Sequence, residues 1–218
     1  MITARTFELL GGLRENNDRS WFNEHKAEFR ERVQQPFAEL LEAASRRLRR
    51  SANPLQGSSK TMFRIYRDTR FSNDKRPYKE HVAGLLTPTG TKDESEGLMY
   101  VQMGFDGGLI ATGIYAAPTP RLNEIRDAMV DDPKPFQQAV AKLTRGGFEM
   151  DMGDPVKTMP RGYAEHADHP LADLMRRRNL VASGSVPVEA WIDGSVIDRI
   201  VELNRAAMPL NDLIFGQR

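Results

Sequence analysis

The chain has 218 residues, a net charge of +1 at pH 7 and no cysteine. Its composition, 39% hydrophobic and 28% charged, is that of a globular domain long enough to bury a stable core. These values exclude a disordered, collagen-like or coiled-coil chain, and the lack of cysteine excludes disulfide scaffolds, thiol catalysis and thiolate metal sites. Glu8 lies where a signal peptide requires an apolar stretch, and the most apolar stretch covers about half of the ~20 residues that a membrane-spanning helix needs. We therefore expect a cytoplasmic protein with no membrane partner.

The first quarter of the chain is predicted to be helical, because it holds one proline and two of the 17 glycines. A short helix is predicted over Thr3–Leu10. A second helix is predicted to begin at an N-cap formed by Asn17 or Asp18. Pro36 suits the first turn of a third helix. Its apolar stripe is predicted to consist of Phe37, Leu40, Leu41, Ala44 and Leu48.

After about residue 60 the apolar pattern changes from helical to alternating. Strands are predicted over residues 61–67, 82–86, 98–105 and 109–115, the last two joined in a hairpin at Asp106-Gly107-Gly108. Helices are predicted after Pro120 and Pro135, followed by a loop over residues 148–168. A helix over 170–178, a strand over 180–188 and C-terminal helix over 196–207 and 211–215 complete the prediction. The expected fold is α+β, a single domain over residues 1–218 with N-terminal helices packed on a mainly antiparallel sheet and further helices.

One segment, residues 63–79 with the sequence FRIYRDTRFSNDKRPYK, is strongly charged. Residues 64–79 carry a net charge of +4, and the rest of the chain carries −3. If residues 61–67 form a strand, Phe63, Ile65 and Arg67 share its core-facing side. A guanidinium at the end of an apolar row requires a carboxylate partner or an open binding cleft. Asp68 and Asp74 are the nearest carboxylates in the sequence.

A loop rich in arginine at a strand end is typical of phosphate or carboxylate recognition. We interpret it as a site for a small anionic ligand. The ligand-binding residues in this interpretation are Arg64, Arg67, Arg70 and Lys79, with Asn17 and Arg19 at the start of the second helix as a further wall. If the site is catalytic, the candidate bases and hydrogen-bonding groups are Asp68, Asp74, Lys75 and Tyr78.

Two alternatives stay open. The segment could be a structural ion-pair network in an interaction or scaffold protein. It could instead belong to a nucleic-acid-binding module, with the arginine runs at residues 46–50 and 176–178 contacting phosphates, although a net charge near zero weakens this interpretation. The sequence leaves open whether the protein is an enzyme.

For most of the remaining candidate functional residues, the sequence favours a structural role. Trp21 and His25 are expected in the core, with Trp21 as an alternative stacking platform, and His81 is a candidate proton carrier next to the charged segment. His166 and His169 lack a metal-ligand pattern and are expected to cap loops. The sequence has no phosphate-binding glycine loop, dinucleotide fingerprint or nucleophile elbow, so neither a metal nor a cofactor is expected.

The charged segment also resembles the signature of a known protein family. The run Arg64-x-x-Arg67-Asp68-x-Arg70-Phe71, followed by Asp74-Lys75-x-Pro77-Tyr78-Lys79, resembles the signature of the DUF2461 family of uncharacterised, mainly bacterial proteins. Similar landmarks extend over most of the chain, namely Asn16–Phe22 with His25, Gly113-x-Tyr115, Pro160-x-Gly162-Tyr163 and His169-Pro170. The resemblance implies a protein of about this length and transfers no catalytic residue, because the family has no assigned function.

Overall fold

A computed structural model describes residues 1–93, 97–150 and 156–216 of the chain. Its helices are α1 (Ala4–Glu15), α2 (Arg19–Phe29), α3 (Gln35–Leu48), α4 (Thr119–Asp131), α5 (Pro133–Arg145), α6 (Ala172–Met175), α7 (Val188–Ile192) and α8 (Val196–Phe215). Its strands are β1 (His81–Leu86), β2 (Met99–Gly104), β3 (Gly107–Ile114) and β4 (Leu180–Val186). The fold is α+β, as predicted. None of the helices in the described ranges is long and apolar enough to cross a membrane.

The strands form one antiparallel sheet in the order β1-β2-β3-β4. The register of β1 on β2 runs from His81 opposite Gly104 to Leu86 opposite Met99. A two-residue turn at Phe105 and Asp106 joins β2 to β3, which confirms the predicted hairpin.

The chain divides into two compact units, and the first contains described residues 1–93, 98–110 and 185–201. In this unit Asp18 is the N-cap of α2, where its Oδ1 accepts a hydrogen bond from the Trp21 N–H at 3.0 Å. A π-helical turn, Arg30–Gln34, then connects α2 to α3. The predicted stripe of α3 is buried and packs on β1, since a side chain at Gly84 would collide with Leu41.

The predicted strand over residues 61–67 is wrong. The chain there forms a 3₁₀ turn, Ser59–Thr61, and two isolated bridges, Met62 with Gly84 and Tyr66 with Tyr78. The turn-forming residues 68–77 bring the chain back onto itself, so the Arg67 N–H donates to the Pro77 carbonyl and the Lys79 N–H donates to the Ile65 carbonyl. The predicted core-facing row is wrong at Phe63, which is 37% exposed, whereas Ile65 is buried.

The second unit contains described residues 111–150, 156–184 and 202–216, together with Gly97. Here α4 and α5 confirm the helices predicted after Pro120 and Pro135, and α5 ends at Gly146 as expected. The helix predicted over 170–178 is shorter, because α6 covers four residues after a 3₁₀ turn at Ala164–His166. The two predicted C-terminal pieces are one helix, α8, with Pro209 inside it. Residues 151–155 of the predicted loop lie outside the described residues.

Candidate functional site

Arginines pair with each of the three carboxylates in residues 64–80. Asp74 accepts from Arg67 Nη1 at 2.6 Å and from Arg76 Nη2 at 2.7 Å. Asp68 accepts from Arg70 Nε at 3.0 Å and Nη2 at 2.7 Å. Glu80 pairs with Arg76 as well. Hydrogen bonds from these arginines lower the pKa of both aspartates. The segment therefore folds around its own ion pairs.

Tyr78 fastens the end of the charged segment to the start of α2. Its side chain is 3% exposed and its ring stacks on Phe22, with 4.2 Å between the centroids. The Tyr78 N–H donates to Asn17 Oδ1 at 3.0 Å, and Asn17 Nδ2 donates to the Tyr78 carbonyl at 3.1 Å. Burial raises the pKa of the phenol. Both side chains thus hold the backbone of the segment in place.

Three cations of the charged segment have no carboxylate partner among the described residues. Within the described residues, no carboxylate forms an ion pair with Arg64, Lys75 or Lys79. Lys75 Nζ donates to the Thr69 carbonyl at 3.0 Å. Lys79 is half-buried, and its ammonium lies 5.3 Å from the centroid of Phe63. Burial and the positive charge of Arg64 lower the pKa of Lys79. The charge of Arg64 therefore acts on Lys79, as it also acts on Asp68, although Arg64 forms no ion pair with a described carboxylate.

Polar side chains of the sheet lie beside this pair. Cross-strand partners point to the same face, so His81, Tyr100 and Gln102 share one face of β1 and β2. The Tyr100 hydroxyl donates to Gln102 Oε1 at 2.7 Å, and the Tyr100 ring lies 6.2 Å from that of Phe63. Burial raises the pKa of Tyr100 to about 12 and lowers that of His81, which also feels the charge of Lys79. We call Phe63, Arg64, Lys79, His81 and Tyr100 the Arg64–Lys79 cluster.

A protein-family profile described as "Conserved hypothetical protein (DUF2461)" matches residues 5–213. The chain belongs to the DUF2461 family. No curated protein and no solved structure matches it.

The other predicted candidates of this DUF2461 protein lie outside the cluster. Arg19 is exposed in the first turn of α2, where its charge acts on Tyr78. Trp21 is partly exposed and stacks on His25 at 4.1 Å between centroids, and the Trp21 carbonyl lies 2.8 Å from His25 Nδ1. His166 and His169 pack edge to face, and no described group of three His, Asp or Glu side chains could hold a metal ion.

Sequence reasoning missed Tyr100 and Gln102, and in the second unit it missed Arg126. The first two could have been found, because they alternate with the buried Met99, Val101 and Met103 along β2. Arg126 lies four residues after Leu122 and three before Met129, so helical spacing alone places it on the buried side of α4.

Proposed function

We propose that this DUF2461 protein binds a small anionic ligand at Arg64 and Lys79. One observation carries the proposal: the positive charge of Arg64 acts on Lys79 and neither cation forms an ion pair with a described carboxylate, although arginines pair with every carboxylate of residues 64–80. Holding two like charges together is unfavourable, and an anion between them removes that repulsion. Arginine offers a planar fork to phosphate or carboxylate, and lysine adds a mobile point charge.

The groups around the pair favour a phosphorylated ligand over a carboxylated one. The lowered pKa of His81 favours its neutral form at pH 7, and Tyr100 is neutral there as tyrosines ordinarily are. Arg64 and Lys79 thus supply two positive charges, which match a phosphate monoester better than a single carboxylate. Phe63 and Tyr100 supply apolar surface for the rest of the ligand.

In this proposal the remaining charged residues hold the site rather than contact the ligand. Arg67, Arg70, Asp68 and Asp74 stabilise the loop through their ion pairs, since all four already use their charges on each other or on Arg76. Asn17 and Tyr78 anchor the same loop to α2. The proposal is one of binding and includes no reaction step.

The test is calorimetry and thermal unfolding with inorganic phosphate and a panel of phosphorylated metabolites. A ligand present at about 100 times its dissociation constant adds about 2.7 kcal/mol, which raises the melting temperature by roughly 5–11 °C in a chain of this length. We expect Arg64→Ala and Lys79→Met each to weaken binding by tenfold or more with an unchanged melting temperature of the free protein. Lys75→Ala is the matched control, because it removes an exposed cation of the same segment. Equal binding by wild type and both variants, or no binding of any anion, would refute the proposal.

A further inference from the structure

Arg126 of α4 is a buried cation surrounded by neutral acceptors. Only 6% of the surface of this residue is exposed. Nε donates to the Met175 carbonyl at 2.8 Å, Nη1 to Asn123 Oδ1 at 2.9 Å and Nη2 to the Arg177 carbonyl at 3.2 Å. Among the described residues, no carboxylate lies within ion-pairing distance of this guanidinium.

The hydrogen bonds satisfy part of the guanidinium, and no described carboxylate balances its charge. A guanidinium has five N–H donors, and the three bonds use three of them. The adjacent Asp127 forms no ion pair with this guanidinium, and its carboxylate accepts a hydrogen bond from the Tyr163 hydroxyl instead. A buried charge without a counter-charge is unfavourable, so an anion that reaches the two remaining N–H groups would be bound favourably.

Arg126 lines a cavity of about 390 Å³ with a second arginine, Arg178. The volume is that of a site for a small molecule. The other lining residues are mostly apolar and comprise Ala116, Ala117, Thr119, Leu122, Val156 and Pro160. The cavity therefore combines two cations with an apolar wall.

The backbone at the edge of the cavity is strained. Ala116 has a φ of 51°, and it is the one residue other than glycine with positive φ in the described ranges. Its N–H donates to Asn179 Oδ1 at 2.8 Å, which holds this conformation. Strained backbone of this kind persists where the surroundings fix it, and it is enriched at binding sites.

We propose that the cavity binds a small molecule in which an oxyanion, a carboxylate or a phosphate, is attached to a short apolar group. The oxyanion accepts from the free N–H groups of Arg126 and from Arg178, and the apolar group lies against Leu122, Val156 and Pro160. This site uses none of the residues of the Arg64–Lys79 cluster, so neither proposal depends on the other.

The test is a titration of ¹⁵N-labelled protein followed by two-dimensional NMR of the backbone amides and the arginine Nε–H groups. The probes are butyrate, phenyl phosphate and butyramide, the last being a neutral analogue of butyrate. We expect saturable shifts of the Arg126 Nε–H signal and the Ala116, Ala117 and Thr119 amides with an anionic probe and none with butyramide. Arg178→Ala should weaken this binding at least tenfold.

The stability of Arg178→Ala and two control variants make the outcome decisive. Arg178 is exposed, so Arg178→Ala should keep the wild-type melting temperature even if substitution of the buried Arg126 prevents folding. Arg161→Ala removes another exposed cation of the same unit and should leave the titration unchanged. Arg64→Ala should also leave it unchanged while it weakens phosphate binding at the Arg64–Lys79 cluster, which separates failure of one proposal from failure of the other. Equal shifts with butyramide, wild-type affinity in Arg178→Ala, or no shift with any probe would overturn the inference.

Discussion

Replacement of Asn17 by alanine should loosen the charged segment without removing any charge. Asn17 makes two hydrogen bonds to the backbone of Tyr78, a residue that is almost wholly buried. Each bond contributes about 0.5–1.5 kcal/mol, and a buried group left without a partner costs about 1–3 kcal/mol. We therefore expect Asn17→Ala to lower the free energy of unfolding by about 2–3 kcal/mol. This corresponds to a fall in melting temperature of roughly 4–12 °C. The N-cap of α2 is unaffected, because Asp18 supplies it.

The assay is urea denaturation followed by far-ultraviolet circular dichroism. Asn17→Asp keeps the acceptor for the Tyr78 N–H but places a carboxylate oxygen against the Tyr78 carbonyl, so it should be at least as destabilised as Asn17→Ala. Asn16→Ala is the matched control, since Asn16 makes one exposed hydrogen bond to the Gly12 carbonyl. If Asn17→Ala and Asn16→Ala differ by less than about 0.5 kcal/mol, Asn17 does not anchor the segment and the reasoning fails.

Two further predictions concern pH and the sheet. Burial lowers the pKa of His81 below its ordinary 6.5, so the unfolded chain binds this proton more readily than the folded protein. The free energy of unfolding should therefore fall as the pH drops below about 6.5. Urea titrations at pH 7.5 and 5.5 should show a smaller fall in His81→Asn than in the wild type, and an equal fall in both proteins would contradict the prediction. Gly113 has a φ of 133°, and a Cβ there would lie 2.1 Å from the Leu180 carbonyl oxygen, so Gly113→Ala should lower the melting temperature sharply. Gly11→Ala, at a helical position with open space, should leave stability unchanged or raised by about 0.5–1 kcal/mol, and a similar loss in both variants would refute the argument.

The helices and most strands could be predicted from the sequence because their signals are local. The stripe from Phe37 to Leu48 and the N-cap at Asp18 each involve residues within a few turns of one helix. The strand predicted over residues 61–67 was wrong for the opposite reason. Alternation along those residues cannot reveal that the chain returns at Pro77 and pairs with Arg67 and Ile65.

In the candidate site, too, local features could be predicted from the sequence and long-range contacts could not. The sequence locates the cations of residues 64–79, but which of them carboxylates neutralise depends on how the loop closes. Arg67 and Arg70 form ion pairs with Asp74 and Asp68, whereas Arg64 and Lys79 form none with a described carboxylate. No spacing rule in the sequence distinguishes these two pairs of cations. Arg126 was missed because a charged residue within a helix is ordinarily exposed.

The π-helical turn after α2 changes the spacing of the buried residues along the N-terminal helices. The buried residues along these helices include Phe22, Phe29, Phe37 and Ala44, which are separated by seven, eight and seven positions. On a regular α-helix, seven residues return a side chain to almost the same direction, whereas an eighth would rotate Phe37 by roughly 100° further. The turn at Arg30–Gln34, closed by the Gln35 N–H on the Arg30 carbonyl, takes up that additional residue. It acts as a one-residue insertion that leaves both helices in phase. Phe22, which stacks on Tyr78, and the α3 stripe, which packs on β1, therefore belong to one continuous apolar line.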